Sequence, residues 1–369
     1  MVNHKTFKEK SIHGRYVTSE MLKMEWLGKS ETSTIKTIGS SVQENGIISI
    51  SLGTGKNKIL MWSQMHGNES TTTKAVVDLV NYLRSGETIA TSILENCSLL
   101  IIPILNPDGA KQYTRVNANK IDLNRDAKQL TQPESKILRN VFEEFRPDYC
   151  FNLHDQRTLF SAGKDAKPAT VSFLAPASDQ DRQVTPTREK AMKLIVAMNK
   201  MLQQLIPGQV GRYDDGFNDN CVGDTFQMLK VPTILFEAGH FPKDYEREKT
   251  REYIFYALIE SINTIAASKV EEFKSVDYLE IPENQKLFYD VIVRHVGLVN
   301  SFFEPNENIG IRFKEVLRDN KLLFEPELID SGKLEGYFGH EILDCSSEKA
   351  IEDLYSRKEI LNLILSKKK

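Results

Sequence analysis

Four short stretches of this 369-residue chain end in residues able to do hydrolytic chemistry. The first is Lys58-Ile-Leu-Met-Trp-Ser-Gln-Met-His66-Gly-Asn-Glu69, with a histidine and a carboxylate three residues apart just before Ser70-Thr-Thr-Thr. The others are Asn106-Pro-Asp108-Gly109, His154-Asp155 and Glu237, each following an apolar run. Imidazole nitrogen and carboxylate oxygen suit zinc, at bond lengths of roughly 2.0–2.2 Å. His66, Glu69 and His154 would leave the fourth position of a tetrahedral ion open to water, which is the catalytic rather than the structural arrangement. Zinc lowers the pKa of such a water to about 7, and a neighbouring carboxylate, here Glu237, can take its proton. Taken singly, each stretch has a plainer reading. His66 and Glu69 fit a loop histidine beside a first-turn glutamate that favours a helix dipole, and Glu237 fits an ion pair at a strand end. Four such endings together favour a site.

The elements that must position these residues follow from hydrophobic periodicity. The runs at 59–62, 99–105, 149–153 and 231–236 are too short and continuous for helices and read as buried strands. The alternating run 47–52 reads as a further strand, and Gly53-Thr-Gly55 predicts a hairpin from it into the strand at 59. Between the strands lie helical patterns: one after Glu69 behind a Ser/Thr cap, one opened by Thr131-Gln-Pro-Glu, a long one after Thr185-Pro186, a short one from Asp224 and one over 245–267. Strands alternating with helices predict an open α/β sheet covered on both faces. Ligands of such sheets gather outside the carboxyl ends of the strands, where these polar groups fall. From about Val270 the texture changes to short β-like segments and a final helix over 348–365, which predicts domains 1–269 and 270–369.

Composition narrows the function classes. With 40% hydrophobic and 27% charged residues the chain reads as globular, and its net charge of −3 gives no signature for nucleic acid or an anionic membrane. No apolar stretch approaches the roughly 20 residues that span a bilayer. The beginning, Met1-Val-Asn-His-Lys, shows no apolar core of a signal peptide, and four scattered cysteines read as reduced thiols. Both features lead to the expectation of a cytoplasmic protein.

The ordered set His66-x-x-Glu69, Asn106-Pro-Asp-Gly109, Arg115, Asp122-Leu-Asn124-Arg125, His154 and Phe236-Glu237 resembles the zinc carboxypeptidases, over roughly residues 45–265. That family includes the pancreatic enzymes and bacterial cell-wall peptidases. The resemblance implies a mixed, mostly parallel sheet with helices on both faces, one zinc per chain, and a peptide substrate with a free terminal carboxylate. By the same resemblance His66, Glu69 and His154 are the zinc ligands, and Asp122 orients the first ligand histidine. Arg115 polarises the scissile carbonyl, Asn124 and Arg125 hold the substrate carboxylate, and Glu237 is the general base. Tyr213 is the nearest counterpart of the family's mobile tyrosine. Gly67-Asn68 stand where animal members often carry an arginine. His-Gly-Asn-Glu is usual in the related aspartoacylase and succinylglutamate desuccinylase branch, which also carries a C-terminal β domain. The alternatives are therefore an amidohydrolase acting on an N-acyl amino acid and, from another class, a catalytically silent binding module.

Overall fold

The computed structural model describes residues 2–27 and 35–367. By internal contacts these form two compact units, one of residues 1–156 and 169–284 and the other of 157–168 and 285–369.

The first unit is built on eight strands: β1 (Ile35–Ser40), β2 (Gly46–Leu52), β3 (Asn57–Ser63), β4 (Cys97–Ile102), β5 (Tyr149–Asp155), β6 (Val171–Leu174), β7 (Val210–Arg212) and β8 (Thr233–Ala238). In these labels the sheet runs β1-β2-β4-β3-β5-β8-β6-β7. The four central strands β4, β3, β5 and β8 are parallel, while β2 joins β4 and β6 joins β8 in antiparallel sense. Side chains along a strand alternate between faces, and the core follows that rule. Ile59, Met61, Phe151 and Leu153 enter one apolar cluster, while Leu60, Trp62 and Cys150 enter another.

Helices cover both faces. After the short α1 (His4–Phe7) and α2 (Ser19–Glu25) come α3 (Thr71–Leu83), α4 (Thr88–Asn96), α5 (Pro107–Gln112), α6 (Pro133–Phe145), α7 (Pro186–Leu202), α8 (Val222–Met228) and α9 (Glu248–Ala266). Residues of α3, α7 and α9 fill the larger cluster, and those of α6 and α8 fill the smaller. Among the described residues no helix is long and apolar enough to cross a membrane.

Three expectations are corrected. Strands β2 and β3 do not form a hairpin, because β4 lies between them. The glycines after β2 serve a close crossing instead: a Cβ at Gly53 would meet the Cys97 carbonyl oxygen at 2.2 Å, and one at Gly55 would meet Asn96 at 1.9 Å. The cap of α3 does not come from its own Ser70, whose hydroxyl donates to Arg15 O. Asp155, at the end of β5, accepts from the Thr71 and Thr72 amides instead, satisfying first-turn donors that otherwise lack partners. The division between units falls after Asn284 rather than at 269/270. Val270, Tyr278 and Ile281 belong to the larger core, and Tyr278 Oη accepts from the Ala175 amide.

The second unit is a four-stranded sheet of β9 (Phe288–Arg294), β10 (Asn308–Arg318), β11 (Lys321–Gly332) and β12 (Phe338–Asp344), in the order β11-β10-β9-β12. Asp319 and Asn320 join β10 to β11 with φ of 50° and 59°, the primed turn that matches strand twist. The predicted final helix is two, α10 (Glu348–Ser356) and α11 (Lys358–Leu365), whose Leu354, Ile360 and Ile364 pack with Val291, Val293 and Ile311. The segment 157–168 joins this unit through hydrogen bonds: Phe288 N donates to Leu159 O, Thr158 Oγ1 to Asp290 and His340 Nε2 to Thr158 O.

A buried charge cluster ties the N-terminal segment to α3 and α9. Arg251 and Asp78, both wholly buried, meet in a two-pronged ion pair at 2.6 Å. His4 Nε2 joins Asp78 at 2.7 Å, and Arg251 also donates to the Ile12 and Glu9 carbonyls. Removing one partner strands the other charge in the core, so Arg251→Met is expected to cost about 3–5 kcal/mol in urea unfolding. An unchanged midpoint would show that Asp78 finds other partners. Burial alone would raise the nearby Glu248 carboxyl, but the Lys74 and Arg251 charges outweigh it and hold the pKa at about 2. A carboxyl depressed in the folded state stabilises fully above its ordinary range. That contribution is lost as the pH falls from about 4.5 towards 2.

Candidate metal centre

His66 and Glu69 occupy the turn between β3 and α3, closed by a hydrogen bond from Glu69 N to His66 O. The turn is tight because Gly67 lies against Gly109: a Cβ at 67 would meet the Gly109 carbonyl carbon at 1.9 Å. His154 is the penultimate residue of β5, two positions along the same strand face from Asn152. The donor atoms of three residues converge there. Glu69 Oε1 lies 2.8 Å from His66 Nδ1, Glu69 Oε2 lies 2.8 Å from His154 Nδ1, and the two nitrogens are 3.1 Å apart.

This arrangement fits a divalent cation such as zinc. Asp122 Oδ1 lies 3.0 Å from His66 Nε2, so with a cation held between Nδ1 and Glu69 the Nε2 atom would carry the ring proton towards Asp122 and Nδ1 would present its lone pair. Each imidazole nitrogen lies 2.8 Å from one of the two Glu69 carboxylate oxygens and 3.1 Å from the other nitrogen, spacings that approach the roughly 3.4 Å edge of a tetrahedron with bonds of about 2.1 Å. Among the described residues this is the one His/Cys/Asp/Glu group with that convergence. Burial disfavours protonation of His66, but Glu69 and Asp122 outweigh it, whereas burial prevails at His154 and lowers its pKa.

Glu237 stands on β8, paired in register with His154. Burial drives its pKa well above the carboxylate range, and the Glu69 and Asp155 carboxylates add to the rise. Its Oε2 is buried without a hydrogen-bond partner, which is costly unless the group serves a reaction or a ligand.

Arg115 reaches this cluster directly, donating from NH1 to Glu69 Oε1 at 3.3 Å and from Nε to Asp122 Oδ2 at 3.0 Å. Asn124 N donates to the same Asp122 oxygen that faces His66, because Asp122 caps the single turn Leu123–Arg125. Leu123 anchors that turn in the smaller core. The Asn124 amide oxygen accepts from Val222 N, and Arg125 is exposed, its NH1 donating to Asn124 O. Burial, then the Glu237 and Glu69 carboxylates, push the Tyr213 phenol above its usual range, so its ring lies within electrostatic reach of the site. Asp108 does not join. Buried, it accepts from Ser41 Oγ, Gln43 N and Asn45 Nδ2 and so fixes the β1–β2 turn.

Two contributors escape a sequence reading. Asn220 staples the turn that carries Arg125: its main-chain oxygen accepts from Ala127 N, its Oδ1 accepts from Lys128 N, and its Nδ2 donates to Arg125 O. Arg247 is wholly buried and donates to Gln156 O and Ala238 O, tying together the ends of the strands that carry His154 and Glu237. No local pattern marks either residue, since all of these partners but Ala238 lie dozens of positions away in sequence.

Comparison with known proteins agrees with this geometry. A family model described as zinc carboxypeptidase matches residues 20–227. A probable carboxypeptidase 2 of Arthroderma benhamiae is 29% identical over 114 residues, 30% of this chain and 21% of that protein. The match therefore spans about a fifth of that relative's length. The metallo-carboxypeptidase structure from Burkholderia cenocepacia superposes with a TM-score of 0.54 at 17% identity, covering 68% of this chain and 70% of that one. Carboxypeptidase A from Helicoverpa armigera gives 0.53 at 14% identity, covering 70% and 74%. Both share the fold.

Proposed function

This chain belongs to the zinc carboxypeptidase family, and from that premise we propose that it is a metallocarboxypeptidase that hydrolyses the terminal amide bond of a substrate with a free carboxylate. The convergence of His66, Glu69 and His154 beside Glu237 carries the reading. Those three residues would hold the zinc, which when bound supplies a Lewis acid able to polarise a carbonyl and to bring the pKa of water near 7.

The protein's own groups do the rest. Glu237, a stronger base than an exposed glutamate, takes the proton of the attacking water and returns it to the leaving nitrogen. Arg115 offers its guanidinium to the scissile carbonyl as negative charge develops there. Asn124 and Arg125 hold the terminal carboxylate, for which a planar fork of N–H donors is well shaped. Tyr213, whose phenol feels the Glu237 and Glu69 charges, is the third substrate-binding residue of this reading.

Arg125 separates this reading from a general amidase. Hydrogen bonds to charged groups are worth about 1.5–3 kcal/mol, roughly one to two decades in kcat/KM. Peptides with an amidated C-terminus are therefore expected to react one to two decades more slowly than free acids. In Arg125→Ala the two should become nearly equal, and Arg125→Lys should recover little because a point charge does not reproduce the fork. Equal wild-type rates on acid and amide would sink the exopeptidase reading. The separate unit that includes 285–369 favours a second reading, hydrolysis of N-acyl amino acids, and turnover of those in preference to peptides would select it.

A further inference from the structure

Two residues before His66 the chain does something that needs a cause. Gln64 is wholly buried and has φ of +47°, a left-handed conformation that costs a residue with a side chain about 1–3 kcal/mol. Such strain persists only where the surroundings over-determine it, and here they do. Gln64 Nε2 donates to Gly67 O at 2.8 Å and to Val17 O at 2.9 Å, which uses both amide hydrogens. Its Oε1 accepts from Thr73 Oγ1 at 2.9 Å, and its main-chain oxygen accepts from Asn106 N at 3.1 Å.

Each partner belongs to a different part of the site's frame. Gly67 O lies inside the turn between the two ligands His66 and Glu69. Thr73 is in the first turn of α3, directly after Glu69. Asn106 also donates from Nδ2 to Met65 O, the residue before His66. Val17 belongs to the N-terminal segment, which makes a second link to the same region when Ser70 Oγ donates to Arg15 O at 2.6 Å.

We infer that Gln64 is a positioning residue for the metal centre: its amide holds the His66–Glu69 turn in ligand geometry, and through it residues 15–17 become part of the scaffold of the site. Space filling alone does not explain the residue, since a methionine of similar length would fill the same space without making any of the three side-chain hydrogen bonds. The requirement is for two donors and one acceptor at fixed places. Ligand turns held this way present their donor atoms preorganised, so the binding energy of the metal is not spent on ordering them. The inference rests on His66, Glu69 and His154 being the metal ligands.

The test measures zinc affinity of the metal-free full chain by competition with a fluorescent chelator, alongside thermal melts of the metal-free protein. Gln64→Glu puts a carboxylate, which cannot donate, against two carbonyl oxygens, and Gln64→Met removes every side-chain hydrogen bond. Both are expected to weaken zinc binding by about 10–100-fold, the usual effect of removing a group that orients a ligand. Thr73→Val, which keeps shape and loses the donor to Gln64 Oε1 together with the hydroxyl contacts to Ser63 Oγ and Pro103 O, should give a smaller loss in the same direction. It keeps the test decisive if the Gln64 variants do not fold. A residue with a packing role alone would lower the melting temperature of the metal-free protein and leave zinc affinity unchanged. Zinc affinity within about threefold of wild type in a folded Gln64→Met or in Thr73→Val overturns the inference. A wild type that takes up no zinc, or a His66→Ala variant that binds it equally well, overturns the metal-centre reading instead.

Discussion

Glu237→Gln is expected to lower kcat by about 10²–10⁴-fold, the usual worth of a general acid–base group, while zinc content and fold stay as in the wild type. At about 1.4 kcal/mol per decade this corresponds to roughly 3–6 kcal/mol of barrier. The substitution isolates the chemistry because the amide is nearly isosteric with the carboxylate and cannot accept the proton of water. Its neighbours Phe236 and Ala238 are buried and the strand is paired on both sides, so the backbone has no reason to move. The orphaned Oε2 sharpens the expectation, since an amide there leaves the same space filled but removes the basic lone pair. A loss under tenfold would place the base elsewhere. Loss of zinc would make Glu237 part of the metal-holding set.

His154→Ala is expected to abolish both zinc binding and turnover. It removes one of three donors and leaves Glu69 Oε2 with only the Asp155 amide. In the wild type, chelation should stop the reaction and added zinc should restore it. A ligand that binds only the native state stabilises it by RT ln(1 + [L]/Kd), about 4 kcal/mol at a thousandfold excess over Kd. Saturating zinc should therefore raise the wild-type melting temperature and leave that of His154→Ala where it was. A variant that retains one zinc per chain, or melts higher with zinc as the wild type does, would remove His154 from the ligand set.

The sequence alone was sufficient for the parts of this protein that are written locally. Continuous apolar runs located β3, β4, β5 and β8, because strands buried on both faces must be apolar throughout. The polar residue that ends each run then fell at the carboxyl edge of the sheet, where His66, His154 and Glu237 stand. The string Asp122-Leu-Asn124-Arg125 is also held locally: Asp122 caps the turn made by the three residues after it.

Only the tertiary structure decided which distant segments meet. A glycine pair looks the same whether it turns a hairpin or lets two backbones cross, so Gly53 and Gly55 predicted a β2–β3 hairpin where β4 in fact intervenes. The cap of α3 comes from Asp155, more than eighty positions later, so no window around Ser70 reveals it. The segment 157–168 joins the unit built from 285–369 because its partners are Phe288, Asp290 and His340. Gln64 is the sharpest case. Its neighbours in sequence give no hint that one amide spans Val17, Gly67 and Thr73, because hydrophobic period and capping signals report a residue's own segment. Hydrogen bonds between segments depend on how the chain returns to that point in space.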